Sequence, residues 1–164
     1  MAQTTGALSG AAAKVEYSLD ASGTTGTWVD FSGYAQSVEI SGGDAVTGQQ
    51  MTLDGTAAIV TAGNKTNPYT ITFNVVYTEP DTQPFDAIFD RYMGTTKTIA
   101  VRWSPAGGSG GQQQYATTDT AATAAVLVPM TACVPPGVDA TSGEPRMFTF
   151  SVITPKILKS AIAT

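Results

Sequence analysis

Apolar and polar residues alternate in short runs from Lys14 to Thr154, the period of two that sends successive side chains to opposite faces of a strand. Tyr69–Thr78 shows it best. Tyr69, Ile71, Phe73, Val75 and Tyr77 share one face, and Thr70, Thr72, Asn74, Val76 and Thr78 share the other. One apolar and one mostly polar face predict an antiparallel sheet covered on one side. Lys14–Leu19 reads as a half-buried strand. In 35–41, Val38 and Ile40 oppose Ser37, Glu39 and Ser41. In 95–104, Ile99, Val101 and Trp103 face one way, and in 146–154 Phe148, Phe150 and Val152 oppose Met147, Thr149, Ser151 and Ile153. Residues 112–118 and 122–134 are weaker strands, and Pro129 predicts an edge or a bulge in the second.

One stretch has helical spacing. Phe85, Ile88, Phe89 and Tyr92 define a helix over about residues 82–93, with Asp81 or Thr82 as its cap. Pro84 lies in its first turn and Gly94 stops it. Asp86 near the N-terminal end and Arg91 near the C-terminal end match the helix dipole. Residues 42–68 are rich in Gly, Gln and Thr. They predict a long β-hairpin excursion, with strand pieces at 50–53 and 57–61 and Asp54-Gly55 as the tight turn. Residues 1–13 read as an arm or as ordinary terminal disorder, and 155–164 as a tail after Pro155. Many short strands, one helix and Gly/Pro turns predict a mostly β fold. It is an antiparallel β-sandwich or barrel over residues 14–154 with one flanking helix.

Composition removes most chemistries. The 164 residues hold no His and one Cys, Cys133. No imidazole base, intrachain disulfide, cysteine zinc site or Fe–S cluster can be built. Net charge is −5, the wrong sign for gripping nucleic acid or an anionic membrane. Only 13% of residues are charged, against 26 Thr, 23 Ala and 17 Gly, as suits a β protein whose outside meets other protein more than water. No apolar run approaches the roughly 18 residues that span a bilayer. Residues 1–14 have no basic region before an apolar stretch. This predicts no secretory leader and places synthesis in the cytoplasm of the cell that makes the protein.

The remaining candidates are weak. Glu79 with Asp81, Asp86 with Asp90 and Asp139 with Glu144 are carboxylate pairs. Asp86 and Asp90 share a helix face and read better as a solvated surface than as a glycosidase pair or half a calcium site. Gly107–Gly111 lacks the Lys and Ser/Thr of a phosphate-binding loop and reads as a flexible loop. Cys133 sits in an apolar stretch, as a buried thiol does. The aromatics Trp28, Tyr34, Tyr77, Tyr92, Trp103 and Tyr115 fit a core before a sugar-binding platform. The expectation is no enzyme, no metal and no cofactor.

A family resemblance rests on the order of several pieces. These are Trp28-Val29-Asp30-Phe31-Ser32, Gln36–Ile40, the Gly/Thr-rich hairpin, the Tyr69–Thr78 strand running into Glu79, the Pro84–Tyr92 helix and Val101–Gly108. A late Pro-rich turn and the Phe148–Ile153 strand follow. Over about residues 14–154 this order resembles the major tail tube proteins of long-tailed, siphovirus-like bacteriophages. The resemblance implies a virion protein, made in the host bacterial cytoplasm. It implies a structural role in stacked rings, commonly hexameric, that form a hollow tube for DNA ejection. Partners would be further copies of the chain, a tail-tip or initiator complex and a tape-measure protein. DNA would pass without tight binding, and no membrane is involved. Val46, Met51, Leu53, Ile59 and Val60 on the hairpin would pack on a neighbour. Glu39 and Asp54 are candidates to face the lumen, although ordinary solvent exposure fits them equally. Six copies at −5 each would give about −30 per ring, and an acidic lumen would repel phosphates. Two rivals remain: a monomeric carbohydrate-binding or adhesin-like sandwich, and the tube protein of a contractile tail or secretion system.

Overall fold

A computed structural model describes residues 13–20, 27–53, 55, 57–80, 83–118, 125–138, 141 and 143–164. The expected N-terminal arm, apart from Ala13, lies outside these residues, as do Asp54, Asp81, Thr82 and Asp139. The chain is mostly β with a single helix among the described residues. The elements are β1 (Lys14–Ser18), β2 (Val29–Asp30), β3 (Ala35–Gly42), β4 (Ala45–Gln50), β5 (Ile59–Thr66) and β6 (Tyr69–Val76). After these come α1 (Pro84–Met93), β7 (Thr98–Ser104), β8 (Gln113–Thr118), β9 (Val128–Val134), β10 (Met147–Thr154) and β11 (Lys156–Ala161).

Two antiparallel layers enclose the core. One runs β2-β1-β7-β8-β11 and the other β3-β6-β10-β9. A short pairing of Thr98 with Pro129 and Ile99 with Val128 joins them at one corner. The hydroxyl of Thr117 reinforces this corner by bonding Val101 and Val126. The alternation maps directly onto burial. Ile71, Phe73 and Val75 from β6, Phe148, Phe150 and Val152 from β10, and Ile99, Val101 and Trp103 from β7 fill the interior. Phe73 and Phe150 are cross-strand partners whose rings stack with centroids 4.7 Å apart. Phe31, between β2 and β3, sits edge-on to Tyr17 and reaches both of these rings.

The helix closes one end of the sandwich through Pro84, Ile88 and the Phe85 ring, which packs on Tyr77 and Phe148. Its cap is Gln83, with extended backbone and no side-chain hydrogen bond, in place of the expected Asp81 or Thr82. Pro84 at the first helical position explains this. It needs no N–H partner, and it forces the residue before it out of the helical region. Arg91 does more than match the dipole: its guanidinium donates to the carbonyls of Thr98 and Leu19, tying the helix to the first layer.

Three expectations need correction. β1 is buried on both faces, because Glu16 on its polar side is covered by Arg102 and Lys14. Residues 156–161 are no tail: β11 pairs with β8 from Lys156–Thr118 to Ala161–Gln113. Pro155 marks the crossing between the layers. The buried Thr154 hydroxyl bridges it, lying 2.6 Å from the Thr118 carbonyl oxygen and 2.7 Å from that of Lys156, with its one proton shared between them. The hairpin's strands are Ala45–Gln50 and Ile59–Thr66, in place of the expected pieces at 50–53 and 57–61, while the expected Asp54-Gly55 turn lies partly outside the described residues. Between the two strands the Gly55 amide donates to the Thr52 carbonyl. The bulge expected near Pro129 is present, where the β9–β10 register shifts between Met130 and Ala132.

Candidate functional site

Among the described residues the carboxylates singled out in the sequence do not gather into one site. Asp86 and Asp90 lie along α1, half-buried and exposed, while Glu79 and Glu144 are exposed in separate connections. Among the described residues no three metal-binding side chains come together. Cys133 is buried, and desolvation pushes its thiol up to about 11, which favours the protonated form. The Gly-rich loop closes over β1, where a Cβ on Gly108 would sit 2.6 Å from the Lys14 side chain. Trp103 is buried against Tyr115, Trp28 lies under the Arg102 guanidinium at 4.1 Å, and Tyr34, Tyr77 and Tyr92 pack on the core.

The surfaces with distinctive properties are a face, an edge and a protrusion. The face is the side of β3-β6-β10-β9 turned away from the core. Pairing register arranges it in rows: Ser37–Asn74–Thr149, then Glu39–Thr72–Ser151, then Ser41–Thr70–Ile153. Its groups bond one another. The Asn74 amide donates to Ser37 Oγ at 2.8 Å and to Glu39 Oε1 at 3.0 Å. The hydroxyls of Thr72 and Ser151 lie 2.9 Å apart. Glu39 is the one charged residue in these four strands, and it is exposed. The face is therefore rich in hydroxyl and amide groups over β3, β6 and β10, with a single carboxylate, and turns apolar at β9, where Val134 and Ala132 continue the first two rows.

The edge is β3. It pairs with β6 on one side, and no strand among the described residues pairs with its other side. Such an edge offers a row of unmet N–H and C=O groups to another chain. At the opposite end of this layer β9 is partly engaged, by the corner pairing with β7 and by the Tyr92 hydroxyl, which reaches the Thr131 carbonyl at 3.5 Å.

The protrusion is the β4–β5 hairpin. Among the described residues the two strands pair only with each other, and every residue in them is exposed. The predicted contact residues are all exposed: Val46, Met51, Ile59, Val60 and Leu53, the last at 109%. They do not share a face. Ile59 pairs with Gln50 and Val60 with Gln49, which puts the two apolar side chains on opposite sides. Positive φ at Gly42 (84°) and Gly43 (78°) shapes the root, where a Cβ would meet the Pro68 carbonyl and the Tyr69 ring. Of the two proposed lumen acids, Glu39 is placed on the polar face, while Asp54 lies outside the described residues.

Sequence reasoning missed a cluster on the outside of the other layer. Arg102 Nε donates to Glu16 Oε2 at 2.6 Å, and Lys14 Nζ lies 2.9 Å from Oε1. Burial raises the Glu16 pKa, but the hydrogen bonds and charges of Arg102 and Lys14 outweigh it and hold the carboxyl below its ordinary value. Only the β1–β7 register pairs Glu16 with Arg102. No spacing along the chain announces it.

No family model matches the chain, and no curated protein does. Solved structures do. A chain of the six-fold symmetrised cryo-EM structure of the anti-feeding prophage baseplate aligns with TM-score 0.63 and 10% identity, over 99% of this chain and 100% of that one. An extracellular contractile injection system supplies two more. Its sheath/tube terminator structure gives TM-score 0.59 and 15% identity over 92% and 94% of the two chains. Its sheath-tube complex gives 0.59 and 14% over 96% and 94%. At these identities the likeness is one of fold. The chain therefore shares its overall β fold with chains of an extracellular contractile injection system and of the anti-feeding prophage.

Proposed function

We propose that this chain is a structural subunit of a phage-tail-like tube, built from rings of identical copies stacked around a channel that conducts DNA. The observation that carries this reading is the hairpin. A two-stranded ribbon with no packing of its own is marginal in water, and this one exposes apolar side chains on both faces. Contacts with neighbouring copies supply the missing burial. The open β3 edge supports the same reading. Copies that join β3 to the opposite end of a neighbour's four-stranded layer close into a barrel with no free edge. Head-to-tail contacts of one kind generate rings, and rings with a stacking contact generate tubes. Six-membered rings are the proposed form, in keeping with the six-fold symmetry stated for the baseplate structure.

The hydroxyl face would then line the channel. Its groups are mutually bonded and its one charge is the Glu39 carboxylate, so it gives phosphates no cation to bind. Duplex DNA would pass without being held. Tail-tip and tape-measure proteins are the proposed partners at the tube's end and in its lumen, and the virion tail is the proposed location. A second reading, a tube of the contractile kind, is favoured over the siphovirus-like one by the fold likeness to chains of contractile injection systems.

The test is sedimentation of the purified full chain as its concentration rises, alone and with tail-tip complex. Material that pellets as an ordered polymer supports the proposal. A monomer in both arms that binds a glycan array would replace it with the carbohydrate-binding reading.

A further inference from the structure

The two layers do not meet all along their length. Ile40 lies on the core side of β3, yet it is 48% exposed, whereas Ile71 and Phe73 on the same side of β6 are fully buried. The layers part at the end where the hairpin leaves the body, and a groove of about 540 Å³ opens between them. Ile40, Tyr69, Trp103, Tyr115 and Ile157 line it, and Lys159 stands at its rim. Trp103 and Tyr115 stack to form an aromatic floor. An apolar groove of this size is unusual to leave filled with water, and the chain's own hairpin does not fill it, since Leu53 is fully exposed.

We propose that the groove receives the hairpin tip of a second copy of this chain, with Leu53 as the knob. Chemistry and charge both select this occupant. Leu53 and Met51 are the most exposed apolar side chains of the hairpin, and the groove is lined almost wholly by apolar and aromatic groups. Asp54 directly follows Leu53 in the sequence, and Lys159 is the cation at the groove's rim. The residue that follows the knob is thus opposite in charge to the cation beside the groove, a complementary pairing in composition. Knob and groove occupy different parts of the molecule, so the contact is heterologous: each copy gives its tip to one neighbour and takes a tip from another. This rests on the proposed self-assembly and adds to it the surface that each tip occupies.

The experiment is disulfide trapping in the full chain under mild oxidation, with electron microscopy of the same samples. The pairs are Leu53→Cys with Ile157→Cys, and Leu53→Cys with Ile40→Cys. Ile40 is half exposed, so the second pair leaves the core intact if the first disturbs it. The control pair is Leu53→Cys with Val138→Cys, which places the partner thiol on an exposed turn away from the groove. Disulfides form only when the two Cα atoms come within about 7 Å. The expected result is a ladder of covalent dimers and higher species in both groove pairs while the control stays monomeric on denaturing gels. Tubes that form without a ladder beyond the control would overturn the groove contact and leave the tube reading standing. A chain that neither self-associates nor cross-links overturns both.

Discussion

β5 and β10 are each eight residues long, and they live in different environments. Every second residue of β10 is buried, and both its edges are paired. No residue of β5 is buried, and it pairs with β4 alone. Backbone pairing is common to the two, so pairing does not account for the difference. β10 owes its place to Phe148, Phe150 and Val152, each removed from water, at about 1.5–3 kcal/mol per side chain. β5 has nothing comparable until another surface meets Ile59 or Val60. The body of the molecule is complete within one chain, and in the proposed assembly the hairpin is completed by others.

Substitutions break this comparison in opposite ways. The largest effect belongs to Leu53→Asp or Ile59→Asp. Each should abolish assembly while the unfolding midpoint stays at the wild-type value; sedimentation and thermal denaturation of one preparation check both halves. Normal tube formation by either variant would show that the hairpin's apolar groups are not contacts. Phe150→Ala is the mirror case. It empties a fully buried site beside Phe73 and should cost about 3–5 kcal/mol in urea unfolding.

Glu16→Gln comes next, at about 1–2 kcal/mol, because Arg102 and Lys14 keep some access to water. Its pH dependence has a defined sign. The folded-state pKa of Glu16 lies below its ordinary 4.5, so the carboxylate's contribution is present above that pH and fades as pH falls through the folded value. The gap between wild type and Glu16→Gln should therefore narrow in acid, and a gap that widens below pH 4.5 would contradict the assignment. Glu39→Lys is the mildest for the fold, within about 0.5 kcal/mol, since the side chain is exposed. In the proposed tube its effect would lie in the channel: tubes of the variant should retain duplex DNA at low salt and release it as salt rises, while wild-type tubes retain none.

The same contrast explains what could be read from the sequence. β6 and β10 are legible because one face is buried, and burial imposes the alternation seen in Tyr69–Val76 and Met147–Thr154. The hairpin is legible as an excursion but not in detail. With neither face buried, nothing fixes where its strands begin, and they lie at Ala45–Gln50 and Ile59–Thr66 in place of the shorter pieces expected. β11 is hidden for two reasons: Ile157 and Leu158 adjoin and break the alternation, and Pro155 resembles a terminator until the Thr154 hydroxyl is seen to carry the chain past it. Glu39's place on the polar face follows from alternation alone. The open groove beneath the hairpin root does not, because Ile40 reads in sequence as an ordinary core residue.

The most direct test of the central claim is negative-stain electron microscopy of the purified chain, with size-exclusion chromatography of the same sample. Rings or hollow tubes with a central channel are expected, formed by the chain alone or after addition of tail-tip complex. A strictly monomeric protein that forms no tubes even with that complex would contradict it.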